Sequence, residues 1–227
     1  MNQTLMSKSL TTPRDPDGRQ RRTRLETQTE KRGVMLAAAR AVFEREGYDG
    51  ASMSDIAAEA GVSKPTLYVY FDSKERLFDA LIEDMSLSVP EQVLNLDASD
   101  PDVEAVLTRC GIALMTKITQ PERVNMLRVV LGAAGKFPEI GRKFFAAGPG
   151  RAIEKIKVYL TEADAKGWLR VPDTDLAAYH LLELVQAKQI RLLLFGIADR
   201  PSEADIAETV AAGVRVFVAA HRGRPTC

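Results

Sequence analysis

An all-α fold is predicted, and three observations predict it. Apolar residues recur at the three-and-four spacing of a helix face in segment after segment. These segments open on Ser, Thr, Asp or Pro and close on Gly or Pro, the punctuation of helix ends. At 227 residues, 45% of them apolar, the chain has material for a sizeable core. The signals mark about nine helices, in a three-helix unit (27–73) and a larger helical body (74–220). A basic arm (1–26) precedes them and a short tail (221–227) follows.

The arm is polar, carries Pro13, Pro16 and Gly18, and holds nothing that buries itself, so disorder is expected. Arg14, Arg19, Arg21, Arg22 and Arg24 suit it to tracking phosphates or entering a minor groove, with a merely solvated tail as the alternative. Thr27 and Glu30 make a capping-box pair that opens the first helix, whose face is Met35, Leu36, Ala39, Val42 and Phe43 and whose stop is Gly47. Tyr48 is expected to pack under the loop, and Gly50 to turn the chain toward Ser52.

Ser52 to Lys74 is the stretch with the most information. Ser52 caps a short helix with Ile56, Ala57 and Ala60 inward, and Gly61 ends it by taking a left-handed conformation. Ser63 caps the next, Pro65 sits in its first turn, and Leu67 and Phe71 face inward. A compact helix, tight turn and helix of this kind places its second member in the DNA major groove. Lys64 can then donate to guanine O6 or N7, Thr66 can bond a base or phosphate, and Pro65 with the Thr66 methyl can touch a thymine methyl. Tyr68 and Tyr70 have hydroxyls for phosphate oxygens, and Lys74 stands at the start of the following helix, where anions are attracted.

Asp55-Ile-Ala, Ala60-Gly-Val-Ser, Thr66-Leu-Tyr, Tyr70-Phe and Ser73-Lys-Glu, in this order and spacing, resemble the N-terminal domain of the tetracycline-repressor (TetR) family of bacterial regulators. Upstream, Met35-Leu-Ala-Ala-Ala, Val42-Phe43 and Glu46-Gly-Tyr extend the resemblance to residues 30–85. It implies a homodimeric, all-helical regulator, usually a repressor, that leaves a palindromic operator when a small molecule enters the C-terminal domain. It also implies base reading by Ser54, Lys64, Pro65 and Thr66, and phosphate contact by Tyr68, Tyr70 and Lys74. Many relatives have glycine where this chain has Pro65, and Val69 and Tyr70 fill variable positions, so no operator sequence is implied.

From Ser73 a longer helix puts Leu77, Phe78, Leu81, Ile82 and Met85 on one face and ends near Pro90, connecting the three-helix unit to the body. After a loop, Ser99 or Asp100 with Pro101 opens a helix with Val103, Val106, Leu107, Cys110 and Leu114. Another runs from Pro121 to Gly135, followed by Phe137-Pro-Glu-Ile, for which no helix is predicted. The run Leu127 to Gly148 resembles the C-terminal domain of the AefR-like subgroup. A helix from Pro149 carries Ile153, Ile156, Leu160 and Ala163, and Trp168 with Leu169 plugs the turn after Gly167. The helix from Asp173 to Gly196 is apolar on more than one face, and the last, from Glu203, has a seam of Ile206, Val210, Val214, Phe217 and Val218. Two such helices per subunit suit a four-helix dimer interface, which the resemblance also implies. For a partly apolar effector, the flexible and aromatic Met115, Met126, Phe144, Phe145, Tyr159 and Tyr179 are candidate lining, with His180 and Gln186 as polar groups to orient it.

Composition bounds the rest. Lys plus Arg equals Asp plus Glu at 31 each, so duplex DNA must be met by a local patch rather than a global field. Two cysteines, Cys110 within an apolar pattern and Cys227 at the end, fit a reducing compartment and no disulfide framework. No stretch approaches the ~20 apolar residues of a membrane span, and the expected place is the cytoplasm. The two histidines are far apart, and no metal-spaced cluster, phosphate loop or Gly-x-Ser-x-Gly occurs, so neither an enzyme nor a cofactor is expected. A ligand-independent architectural DNA-binding dimer, or an activator or dual regulator, is the alternative to a repressor.

Overall fold

A computed structural model describes residues 16–87 and 96–222, with side chains described from 28 to 85 and from 96 to 222. Ten helices lie among them. The first four are α1 (Pro16–Gly50), α2 (Met53–Glu59), α3 (Lys64–Tyr70) and α4 (Lys74–Leu87). They are followed by α5 (Val103–Ile118), α6 (Pro121–Ala134), α7 (Pro138–Ala147), α8 (Pro149–Ala165), α9 (Thr174–Leu194) and α10 (Glu203–His221). The predicted all-α class holds.

Two expectations about elements are corrected. α1 begins at Pro16, so Thr27 does not open it and part of the arm is helical. Arg, Gln, Glu and Lys favour helix without needing a buried face, which is what the expectation of disorder left out. Residues 1–15, including Arg14, lie outside the described residues, as do 88–95 and Cys227. The second correction is α7, the helix not predicted. Pro138 sits in its first turn, and Ile140 is its buried residue. Ile140, Phe144 and Ala147 stand at helical spacing, so the pattern was there to be read but is only ten residues long, and packing between α6 and α4 fixes it.

Apolar burial forms two clusters. The first joins α1–α4 through Met35, Val42, Phe43, Ile56, Leu67, Phe78 and Leu81, and continues into Met126, Val129, Val130 and Ala133 of α6 and Ile140 of α7. Phe43, Tyr48, Phe78 and Phe137 pack edge-on or stacked at its centre, with centroids 5.0 to 5.8 Å apart. The second unites α5, α8, α9 and α10 around Val106, Leu107, Met115, Tyr159, Leu160, Leu181, Val210 and Phe217. The body predicted to start at residue 74 is therefore split, because α6 and α7 pack on α4 and the three-helix unit, together the head.

Polar bonds reinforce this. Asn125 Nδ2 donates to Glu44 Oε2 at 3.1 Å, Arg123 Nη2 to the Met85 carbonyl at 2.7 Å, and Lys143 pairs with Asp79 at 2.7 Å. On its other side α6 reaches α9, where Arg128 donates to the carbonyls of Leu193 and Leu194 and so caps that helix. α6 thus holds both clusters.

Two backbone features shape the body. At Gly213 an added Cβ would lie 2.5 Å from the Leu184 carbonyl oxygen, so α10 crosses α9 where no side chain fits. Within α9, Ala187 has φ 35° and ψ −125°, a left-handed conformation that breaks the helix.

Candidate functional site

The reading head is built by local bonds. The Ser52 hydroxyl accepts from the Asp55 amide at 3.2 Å and fixes the start of α2. Gly61, at φ 65°, closes it: its amide donates to the Ala58 carbonyl and the Val62 amide to the Ala57 carbonyl, a Schellman arrangement. Ser63 then accepts from the Thr66 amide at 3.2 Å, and Pro65 lies in the first turn of α3. Leu67 is fully buried and Phe71 nearly so, which locks the roll of α3 and decides what it shows to solvent.

Ser54, Lys64, Pro65 and Tyr68 are exposed on this surface, as their predicted contact roles require. Thr66 is half-buried, its hydroxyl 2.7 Å from that of Ser63, so part of its bonding capacity is used inside the head. Tyr70 is half-buried against the head core, which turns much of its ring away from solvent. Val69, which no predicted role covered, is 82% exposed on α3 and adds an apolar point suited to a thymine methyl.

Lys74 is the clear departure. Its ammonium donates to the carbonyls of Tyr48, Ala51 and Asp49 at 2.8, 3.0 and 3.3 Å and lies 4.7 Å from the Tyr48 ring centroid. All three protons have acceptors, so this side chain clamps the residues between the break in α1 at Gly47, φ 72°, and the start of α2 rather than standing free for phosphate. Its carbonyl partners lie more than twenty residues upstream, beyond what local spacing reveals.

A second site lies between the two clusters. A cavity of about 640 Å³ is lined mainly by apolar groups, among them Ile82 and Met85 of α4, Leu114 of α5, Leu127 of α6, Phe144 of α7 and Ile190 of α9. Of the residues predicted for a pocket, Phe144 lines it, and Gln186 adds a polar group. Met115, Met126 and Tyr159 are instead buried in the two cores. Phe145, Tyr179 and His180 are exposed, and His180 borders a shallow groove between α9 and α10. Residue type alone picked out one lining residue, Phe144, because side-chain direction decides which core or surface each one meets.

The α9–α10 side carries exposed apolar groups: Leu176, Tyr179, Val216, Phe195 and Ile197, with Phe195 78% exposed. Cys110 is buried, and burial raises its thiol pKa to about 11, which leaves it an unreactive core group. No group of three or more His, Cys, Asp or Glu suited to a metal occurs among the described residues, and none of their helices is long and apolar enough to cross a membrane.

Comparison with known proteins fits this geometry. Residues 35–81 match the N-terminal domain of bacterial regulatory proteins of the tetR family, and residues 105–222 match the AefR-like transcriptional repressor C-terminal domain. The chain is 46% identical over 68 residues to the HTH-type transcriptional activator FasR of Mycolicibacterium smegmatis, covering 30% of this chain and 31% of that protein. It is 28% identical over 141 residues to the HTH-type transcriptional repressor NicS of Pseudomonas putida, covering 61% and 66%. The aligned stretches thus span about a third and just under two thirds of these two curated relatives. The structure of the flavonoid-responsive regulator FrrA superposes with a TM-score of 0.73 at 31% identity, covering 86% of this chain and 99% of that one. With its two domain matches spanning head and body in order, the chain belongs to the TetR family of bacterial transcriptional regulators, a non-enzymatic class, and carries an AefR-like C-terminal domain.

Proposed function

We propose that this chain is a homodimeric repressor that binds a palindromic operator and is released from it by a small, partly apolar molecule. The observation that carries this reading is where the cavity sits. Its wall includes Ile82 and Met85 of α4, the helix that continues directly from the reading head, together with residues of α6 and α9. A molecule filling that space touches, at once, the helix that positions α3 and the helix on the apolar outer face. Such a ligand acts only if it fits one arrangement of the head better than the other. The exposed apolar groups of α9 and α10 supply the surface for the second copy, and the bacterial cytoplasm, where duplex DNA lies, is the place of action.

In-vitro selection from random duplex DNA tests the first half. The expected product is an inverted repeat with half-sites about one helical turn apart, roughly 34–36 Å. An unenriched pool, or enrichment of single half-sites only, would defeat the dimeric reader. The second half is tested with Leu127→Trp, which fills the cavity from α6. This variant should keep operator affinity within about threefold and lose any ligand response, whereas an unchanged response would place the effector elsewhere.

A further inference from the structure

The apolar cavity shares a wall with a second space. A smaller, polar recess of about 370 Å³ has Met85 and Arg123 in common with it. The recess is completed by Arg40 of α1, Lys117 near the end of α5, and Gln120 and Glu122 at the corner into α6. Three cations face one carboxylate there. Nε of Arg40 is buried and has no hydrogen-bond partner. Neither Arg40 nor Lys117 takes part in an ion pair among the described residues.

α6 opens onto the same recess. Gln120, its N-cap, makes no side-chain capping bond. Although Pro121 has no amide proton and the Arg123 amide donates to the Gln120 carbonyl at 2.9 Å, the dipole of this 14-residue helix adds positive potential to that of the side chains. Arg123 is differently placed: its guanidinium already donates to the Met85 carbonyl at 2.7 Å, and burial, with the Arg40 charge adding to it, lowers its pKa against the opposing pull of Glu122. A buried guanidinium nitrogen without an acceptor is unfavourable until an anion supplies one. The far end of the apolar cavity has cations too, Arg151 and Lys155 beside the α8 N-terminus, but both are exposed and Glu154 lies between them.

We propose that the effector is an anionic amphiphile, its carboxylate or phosphate held in the recess by Arg40, Lys117 and Arg123 and its apolar part in the adjoining cavity. This rests on the reading of that cavity as the effector site. The head group meets the two arginines and the lysine at the junction of α1, α5 and α6, and the chain runs along Ile82, Leu114 and Leu127. Arg123 then contacts the ligand while holding the end of α4, which puts the ligand's charge one hydrogen bond away from the reading head.

The test is calorimetric titration of the full chain, below each compound's micelle concentration, with four probes of equal chain length: decanoate, decyl phosphate, decanol and decyltrimethylammonium. Decanoate or decyl phosphate is expected to bind at least about tenfold tighter than decanol, with the cation weakest. Whichever anion binds tighter identifies the head group. Arg40→Met and, separately, Lys117→Gln should each remove about tenfold of the anion's affinity and leave that of decanol unchanged. Decanol binding also reports that the variant is folded, and Lys117, at the rim, guards against a folding defect at Arg40. Equal affinity for anion and alcohol, preference for the cation, no binding of any probe, or an anion preference lost in Arg151→Gln/Lys155→Gln instead would each overturn the proposal. Operator release separates the two readings. Anion binding without release removes the inducer role and leaves the site, whereas release by a cation or neutral compound without anion binding does the reverse.

Discussion

The core around α1–α4 and the core around α5 and α8–α10 are comparably buried but are specified differently. In the head, short helices are fixed by bonds spanning a few residues, Ser52 to Asp55, Ser63 to Thr66 and Gly61 closing α2, and a lysine ties the ends of the connection together. In the body, long helices are fixed by where they cross. Gly213 lets α10 lie against the α9 backbone, and at Gly111 an added Cβ would stand 2.6 Å from Val210 Cγ1. The head is therefore tolerant of changes that respect its caps, and the body is tolerant of changes that respect its crossings.

The largest expected effect breaks a crossing. Gly213→Ala forces a methyl against the Leu184 carbonyl and should cost about 3 kcal/mol of stability, read as a lower denaturant midpoint. A loss as small as that of a surface substitution would mean the body is not register-specified. Next is the head's clamp. Lys74→Met strands three carbonyls and should cost about 2 kcal/mol, while the salt dependence of DNA binding stays as it was. A salt slope reduced by about one, with stability unchanged, would restore Lys74 to a phosphate-binding role. Lys64→Ala leaves the fold intact and should relax preference at particular base positions by about 1–2 kcal/mol, seen as a flattened profile in selection. Uniform weakening instead would remove Lys64 from base reading. The smallest effect is Tyr159→Phe. The Tyr159 hydroxyl is buried without a hydrogen-bond partner, and its pKa is raised to about 12, chiefly by burial. Removing it should change stability by less than about 1 kcal/mol, toward greater stability. A marked loss would reveal a partner for the hydroxyl in solution.

This contrast also explains what could be read from the residues alone. Ser52, Gly61, Ser63, Pro65, Leu67 and Phe71 were legible because capping and helical spacing act within four residues, and the exposed face of α3 follows from them. Lys74 was not, because its acceptors are brought to it by the fold. The cavity shows the same limit: Leu127 and Phe144 line it while Met115 and Tyr159 pack inside a core, a difference of helix rotation that composition does not carry. α7 and the start of α1 were both missed as helices, the first because its apolar face is only ten residues long and the second because a polar sequence offers almost no apolar face to detect.

Ala187 carries a further consequence. A residue held at φ 35° stores on the order of 1–3 kcal/mol and interrupts the ladder of amide bonds along α9. The 21 residues of that helix are therefore expected to exchange their amides with solvent as two shorter pieces. The downstream piece is held by Arg128 at its end and by Gln189, which donates to the Asp205 carbonyl and the Thr209 hydroxyl, rather than by the ladder of its own helix, so hydrogen exchange should show a step in protection at Ala187.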